Sequence, residues 1–438
     1  DLEIIENLTL DDSREIINTG QADMIVDSFL SLDNGSIFTG TGELNLRKGV
    51  LQSGDISVNG GILAIGDNFT KRAGFLSLND NATLRLDNDV LVTSNDNLTV
   101  PVINLNNHSL TLGSATTDLL VEEPFSLDQP GDNLISRLGD LHFAKGVRMD
   151  EGELTSDNIS LNFENGLTHN SGKIFITDTK LIMNGQLIRT GGTFESSTSD
   201  FYLQGPLEIN SFELLSFNHL ELDNNTLTLE TETSDLEVIG NLTLDDSREI
   251  IDTGQADLIV DSFLSLDTGA ISIGTGELNL RKGGLQLGEI SVKGGILAIG
   301  GNFTKTAGSL SLSDKATLRI DNDVLVTLND NLSVPVLNLD NHSLTLGSAT
   351  SDLLVEEPFS LDQPGDKLIS SEAVLSFGGL VRVDDGELYS GVGVMSLEKG
   401  LVQNGGEISI DNHTIYIGGQ LTRTDGKIVS NDLKLILT

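Results

Sequence analysis

Cysteine and tryptophan are both missing from this chain of 438 residues, and aromatic residues make up only 4% of it. Without cysteine there is no disulfide framework and no thiol chemistry, a composition compatible with an extracellular bacterial or archaeal protein. With so few aromatics, the core falls to Leu, Ile and Val. Basic residues are scarce too: 25 Lys and Arg stand against 66 Asp and Glu, a net charge of −41. That balance excludes a nucleic-acid partner, which would need basic patches, and opposes docking on an anionic membrane surface. It suits a soluble exterior in a salty or Ca²⁺-rich medium. No apolar run approaches the ~20 residues of a membrane-crossing helix, so no membrane insertion is expected. Nucleophile-elbow, P-loop and dinucleotide-binding fingerprints are absent. None of the six histidines (His108, His142, His169, His219, His342, His413) has a partner at metal-ligand spacing.

What is present is a simple grammar. Between residues 44 and 69 the chain reads L-N-L-R-K-G-V-L-Q-S-G-D-I-S-V-N-G-G-I-L-A-I-G-D-N-F. Apolar residues alternate with polar ones in short runs: Leu44/Leu46, Ile56/Val58, Ile62/Ala64, then Phe69. Period-two alternation turns one set of side chains inward along a strand. Gly, Asn and Asp separate the runs, and these residues favour turns because Gly accepts positive φ and Asn and Asp bond their own backbone. The grammar returns as N-L-T-L-D, S-F-L-S-L-D, A-T-L-R-L-D-N-D and S-L-T-L-G. Strands this short, joined by tight corners, predict an all-β chain wound as a parallel β-solenoid with about three strands per coil. Its expected form is a right-handed β-helix. Leu44, Leu46, Ile56 and Val58, with Leu278, Leu280, Ile290 and Val292, are the expected inward residues.

The chain also matches itself at an offset of 234 residues. L-T-L-D-D-S-R-E-I-I at 8–17 returns at 242–251, T-G-E-L-N-L-R-K-G at 41–49 returns at 275–283, and V-E-E-P-F-S-L-D-Q-P-G-D at 121–132 returns at 355–366. Copy one is residues 1–234 and copy two residues 235–438, which stops within the period. One continuous rod and a longer parent chain are therefore expected. At about 20–23 residues per coil, each period holds about 10–11 coils. With ~4.8 Å between stacked strands, the rod would measure roughly 90–100 Å. Residues 1–5 and 433–438 read as coil strands without polar caps, which predicts continuation by the same chain or by end-to-end association with itself.

Three stretches break the grammar. Residues 11–23 read as one helical turn or a lateral loop, with Gly20 placed as a C-terminal glycine. Residues 121–132, with two of the seven prolines, read as a loop bulging from the coil. Pro101 reads as a strand start, where a missing N–H matters least.

Candidate chemistry is sparse. Asn/Asp clusters recur at strand ends, and hard oxygens at turns suit Ca²⁺. Asn79, Asp80, Asp87, Asp89, Asp96, Asp321 and Asp323 are the candidate ligands for weak Ca²⁺ binding, although Asx turns account for the same residues without metal. No cofactor is required, and no catalytic residue is assigned. The paired Glu122 and Glu123, with Glu356 and Glu357 in copy two, are candidates for a loop that meets a partner. N-x-S/T occurs at Asn7, Asn68, Asn97, Asn107, Asn241, Asn302 and Asn412, each a candidate glycosylation acceptor.

The run G-E-L-N-L-R-K-G-V-L-Q-S-G-D-I-S-V-N-G-G-I-L-A-I resembles the β-helical shafts of secreted bacterial adhesins, the filamentous-haemagglutinin-like exoproteins and autotransporter passengers. The resemblance is one of repeat grammar and spans nearly the whole chain. It implies an extracellular or cell-surface shaft without enzymatic activity: a fibre, stalk or adhesin stem that meets itself, surface glycans or other cells. The alternative is a carbohydrate-binding or carbohydrate-cleaving β-helix, which the shortage of aromatics opposes. An ice-binding face would need a regular T-x-T array, and Thr is too scattered for one.

Overall fold

A computed structural model describes residues 1–113, 118–347, 352–391, 394–411 and 413–437. Among these residues every regular element is a β-strand and none is a helix. The strands stack in parallel register as a β-solenoid, with about 21 turns in all. The chain divides into two compact units, 1–218 and 219–438.

In the first unit, successive coils show why the alternation works. Glu43–Leu46, Val50–Gln52 and Asp55–Asn59 make one coil, and Ile62–Ile65 begins the next. In these coils each strand pairs with the strand three places along the chain, so equivalent side chains stack into columns. One column runs Met24, Leu44, Leu63, Leu84, Ile103 and another Leu30, Val50, Phe69, Val92, Leu112. Each apolar side chain thus meets another above and below, as Phe69 does between Val50 and Val92, and burying each contributes about 1.5–3 kcal/mol. Ten strands from Leu8–Leu10 to Thr193–Glu195 form one sheet of this unit. In the second unit, ten strands from Leu242–Leu244 to Lys427–Ser430 do the same. The eight residues expected inside, from Leu44 to Val292, are all fully buried.

The structure corrects four local readings. In Ile62–Ile65 it is Leu63 and Ile65 that join the core columns, not Ile62 and Ala64. Residues 11–23 hold a strand, Ile16–Gly20, in place of a helical turn or a lateral loop, and its partner Ser36–Thr39 fixes it in the coil. Residues 121–132 are not a bulging loop: Phe125–Leu127 is a core strand, and Phe125, Phe143 and Phe163 stack at 5.2 and 5.4 Å between ring centres. Pro101 sits, buried, at the corner between Leu98–Val100 and Val102–Asn104. There its carbonyl accepts the Glu123 N–H at 3.0 Å. Thr438, the last residue of the expected closing strand, lies outside the described residues.

A shorter period becomes visible in the backbone. Asn106–Asn107, Asp223–Asn224 and Asp340–Asn341 are corners with both φ angles between 45° and 67°, a left-handed conformation that Asn and Asp tolerate better than other residues with side chains. They lie 117 residues apart, half of 234. Four buried or half-buried acids keep the same spacing. Glu15, Asp132, Glu249 and Asp366 each accept two backbone N–H groups three and four residues upstream, at 2.6–3.1 Å. Asp132, Glu249 and Asp366 also accept the N–H of Asn107, Asn224 and Asn341 respectively, tying each turn to a left-handed corner. The 234-residue period is therefore a pair of related half-repeats, with D-L-E-I-I-E-N-L-T-L-D at 1–11 answering D-L-L-V-E-E-P-F-S-L-D at 118–128.

Candidate functional site

The half-repeats share their core and differ on an outer face. In the first, Asn45, Ala64 and Arg85 follow one another up a column. Ala64 is small and fully buried, so the Arg85 side chain can lie across it. Its guanidinium takes Glu43, two coils below, with bonds of 2.8 and 3.0 Å, and Asp87 with bonds of 2.7 and 3.0 Å. Asn45 Nδ2 donates to both carboxylates at 2.8 and 3.2 Å. The paired carboxylates hold Arg85 firmly charged, and the Arg85 hydrogen bonds lower the Asp87 carboxyl. The third half-repeat rebuilds this clamp with Asn279, Ala298, Arg319, Glu277 and Asp321.

In the second half-repeat the clamp is gone. The corresponding column reads Thr99, Leu120, His142, Asn162, Ile182, Tyr202. Ser160 stands for Glu43, Ile182 for Ala64, Tyr202 for Arg85 and Gln204 for Asp87. The face is left as an open depression of about 410 Å³. Leu120 and Ile182 supply apolar floor. His142 Nε2 lies 2.7 Å from Glu164 Oε1. Along one rim Asp118 accepts the Asp140 N–H at 2.9 Å and Asp140 accepts the Ser160 N–H at 2.7 Å, so each carboxylate keeps its second oxygen for other use. Lys180 lies over the Tyr202 ring, 4.1 Å from its centre. Apolar floor, fixed carboxylates, an amide and an imidazole can together hold a small polar ligand that has an apolar side. In the fourth half-repeat the column carries Ser333, Leu354, Ser376, Ser396 and Tyr416 instead.

The candidate Ca²⁺ ligands are spread along the corners. Asp87 and Asp321 serve the two arginine clamps. Asp89 and Asp323 accept the N–H of Ser109 and Ser343 at 2.9 and 2.8 Å. Asp96 pairs with Lys71. Asn79 donates to Asn59 Oδ1 at 3.0 Å, and Asp80 occupies a left-handed corner at φ 52°. Among the described residues no three acids and histidines come together as a metal site. Glu122 is exposed and Glu123 half-buried, each with its N–H tied to the preceding coil at 3.1 and 3.0 Å. In copy two Glu356 accepts the Ser333 hydroxyl at 2.6 Å and Glu357 N–H bonds Pro335. Asn412 lies outside the described residues.

One arrangement was not legible in the sequence: a polar stack at one corner of each half-repeat, buried in the first three and with its cation, Arg423, exposed in the fourth. Gln52 is followed in its column by Lys71, His169 by Arg189, Gln286 by Lys305 and Gln403 by Arg423. Lys71, Arg189 and Lys305 are buried, and each reaches a partly exposed acid: Asp96, Glu213 and Asp330. The signal was parity, because Phe69 points inward and Lys71 is two residues on. Comparison with known protein families, characterised proteins and solved structures gives no match.

Proposed function

We propose that this chain is a non-enzymatic structural protein of the cell surface, a stretch of fibre, stalk or adhesin shaft. The observation that carries the proposal is repetition: four half-repeats keep one core column after another and one set of corners. A spacer needs this uniformity, since in a stacked array each coil is stabilised by its neighbours and length can be added without a new core. An enzyme would concentrate unusual residues at one place, whereas here the arginine clamp and the buried stack recur. The acidic exterior fits an extracellular setting, where it would keep the shafts soluble and apart. The test is immunogold labelling of intact source cells with antibody raised against this chain. Label on surface fibres is expected; label that appears only after lysis counts against the proposal.

A second reading rests on the open face between Leu120 and Ile182. The proposal is that a surface glycan binds there, its hydroxyls bonded by Asp118, Asp140 and Asn162 and its apolar side laid on Leu120 and Ile182. Screening immobilised glycans with the parent chain and with Ile182→Arg tests it: binding that Ile182→Arg abolishes supports the reading, and absence of binding by the folded parent removes it.

A further inference from the structure

The polar corners differ in the residue beneath the cation. Gln52 and Gln286 each donate Nε2 to two backbone carbonyls, at 2.8–2.9 and 2.7–3.1 Å, and Gln403 donates to Lys427 O at 3.1 Å. In the second half-repeat the same position is His169, fully buried; neither ring nitrogen has a well-formed hydrogen bond, and only the nearby Gly172 and Ser171 backbone favours a proton on the ring. Met149 and Arg189 stack on either side of it. Phe194 lies 6.3 Å away between ring centres, and a Cβ added to Gly192 would fall 2.4 Å from Nε2. The charge facing the ring is Arg189, and Arg189 is drawn toward Glu213, a carboxylate largely in solvent. On the strand below, Arg148 and Asp150 point outward and satisfy each other, with Asn170 also on Asp150.

A proton on His169 would therefore put two cations into one buried corner that has a single, water-screened counter-charge. The three glutamine corners keep one cation and a neutral neighbour at every pH. We propose that the His169 corner is an acid-sensitive joint, opening locally at mildly acidic pH while the glutamine corners stay closed. Geometry and electrostatics agree. Burial pushes His169 down to about 4 from 6.5; the backbone near Gly172 opposes only in part, and the Arg189 charge adds to the fall. The sign follows from linkage. The opened state takes up a proton near 6.5 and the closed state only near 4, so closure is fully favoured above 6.5 and weakens as the pH falls toward 4. At pH 5 the closed-to-open ratio should be about 20-fold lower than at pH 7.

Hydrogen exchange followed by mass spectrometry on the intact chain tests this, with rates corrected for the intrinsic effect of pH. Between pH 7 and pH 5, peptides covering 167–176 should lose about 20-fold in protection, and the equivalent peptides around Gln52 and Gln286 should keep theirs. His169→Gln should remove the difference. Equal loss at all three corners, or no loss at 167–176, overturns the proposal; the comparison among corners of the unaltered chain decides it even if the variant folds poorly. If His169→Gln folds and still loses protection at pH 5, the proposal is equally overturned.

Discussion

Two stretches of the first unit, 43–94 and 160–211, are the same coils differently furnished. Their inner columns match: Leu44, Leu46 and Phe69 in one, Leu161, Phe163 and Leu187 in the other, all buried. Their outer columns do not. The first closes its face with Arg85 laid over Ala64, and the second leaves Ile182 facing a depression, with Lys180 over the Tyr202 ring beside it. The first puts Gln52 under its corner, the second His169. Substitutions that keep the stacking are silent for the fold, so the outer column and the polar corner are where one half-repeat can acquire a property that another lacks.

The largest effect should come from breaking what the two stretches share. Leu46→Asp and Phe163→Asp each bury an unpaired carboxylate in a core column and should cost about 4 kcal/mol or more. Denaturant titration reads the loss, and near-equal losses are expected in the two stretches. Next come the buried cations. Asp96→Ala strands Lys71 and Glu213→Ala strands Arg189. Because both acids are more than half exposed, each loss should be about 1–2 kcal/mol, below that of a fully buried pair. Lys71→Met, which fills the space without charge, should be neutral or stabilising. A smaller, pH-dependent difference should come from the clamp. Arg85→Ala should cost about 1 kcal/mol above pH 4 and progressively less below it. The reason is that Asp87 is lowered in the folded chain: its contribution is present above the ordinary carboxyl value and is lost as the pH falls through the depressed one. The smallest effect should follow Ile182→Ser on the open face, about 0.5 kcal/mol, with any consequence appearing in binding.

The sequence made the fold legible because its alternation is strict and its corners use Gly, Asn and Asp for conformations those residues favour. It misled where parity slips. Ile62–Ile65 contains four apolar residues in a row, so alternation alone could not say that Leu63 and Ile65 were the inner pair; the register with Leu44 and Leu46 decides it. Phe125–Leu127 was hidden by its flanking prolines, which mark corners here and not an excursion. The 117-residue half-period was hidden because side chains at equivalent positions differ, as Glu15 and Asp132 do, while their hydrogen-bonding role is the same. The open face was not legible at all, since Thr99, Leu120, His142, Asn162 and Ile182 are about twenty residues apart and meet only through the coil register. His169 was readable only as one of six histidines until the stack placed it opposite three glutamines.

The central claim is that the two stretches are one scaffold with exchangeable outer faces, and rebuilding one face on the other tests it most directly. The variant Ser160→Glu, Lys180→Ile, Ile182→Ala, Tyr202→Arg and Gln204→Asp transfers the Glu43–Ile62–Ala64–Arg85–Asp87 arrangement to the second half-repeat, around the Asn162 already in place. Its denaturation midpoint should correspond to a stability within about 1 kcal/mol of the parent chain. An unfolded product, or a loss of several kcal/mol, would show that the half-repeats do not share a scaffold.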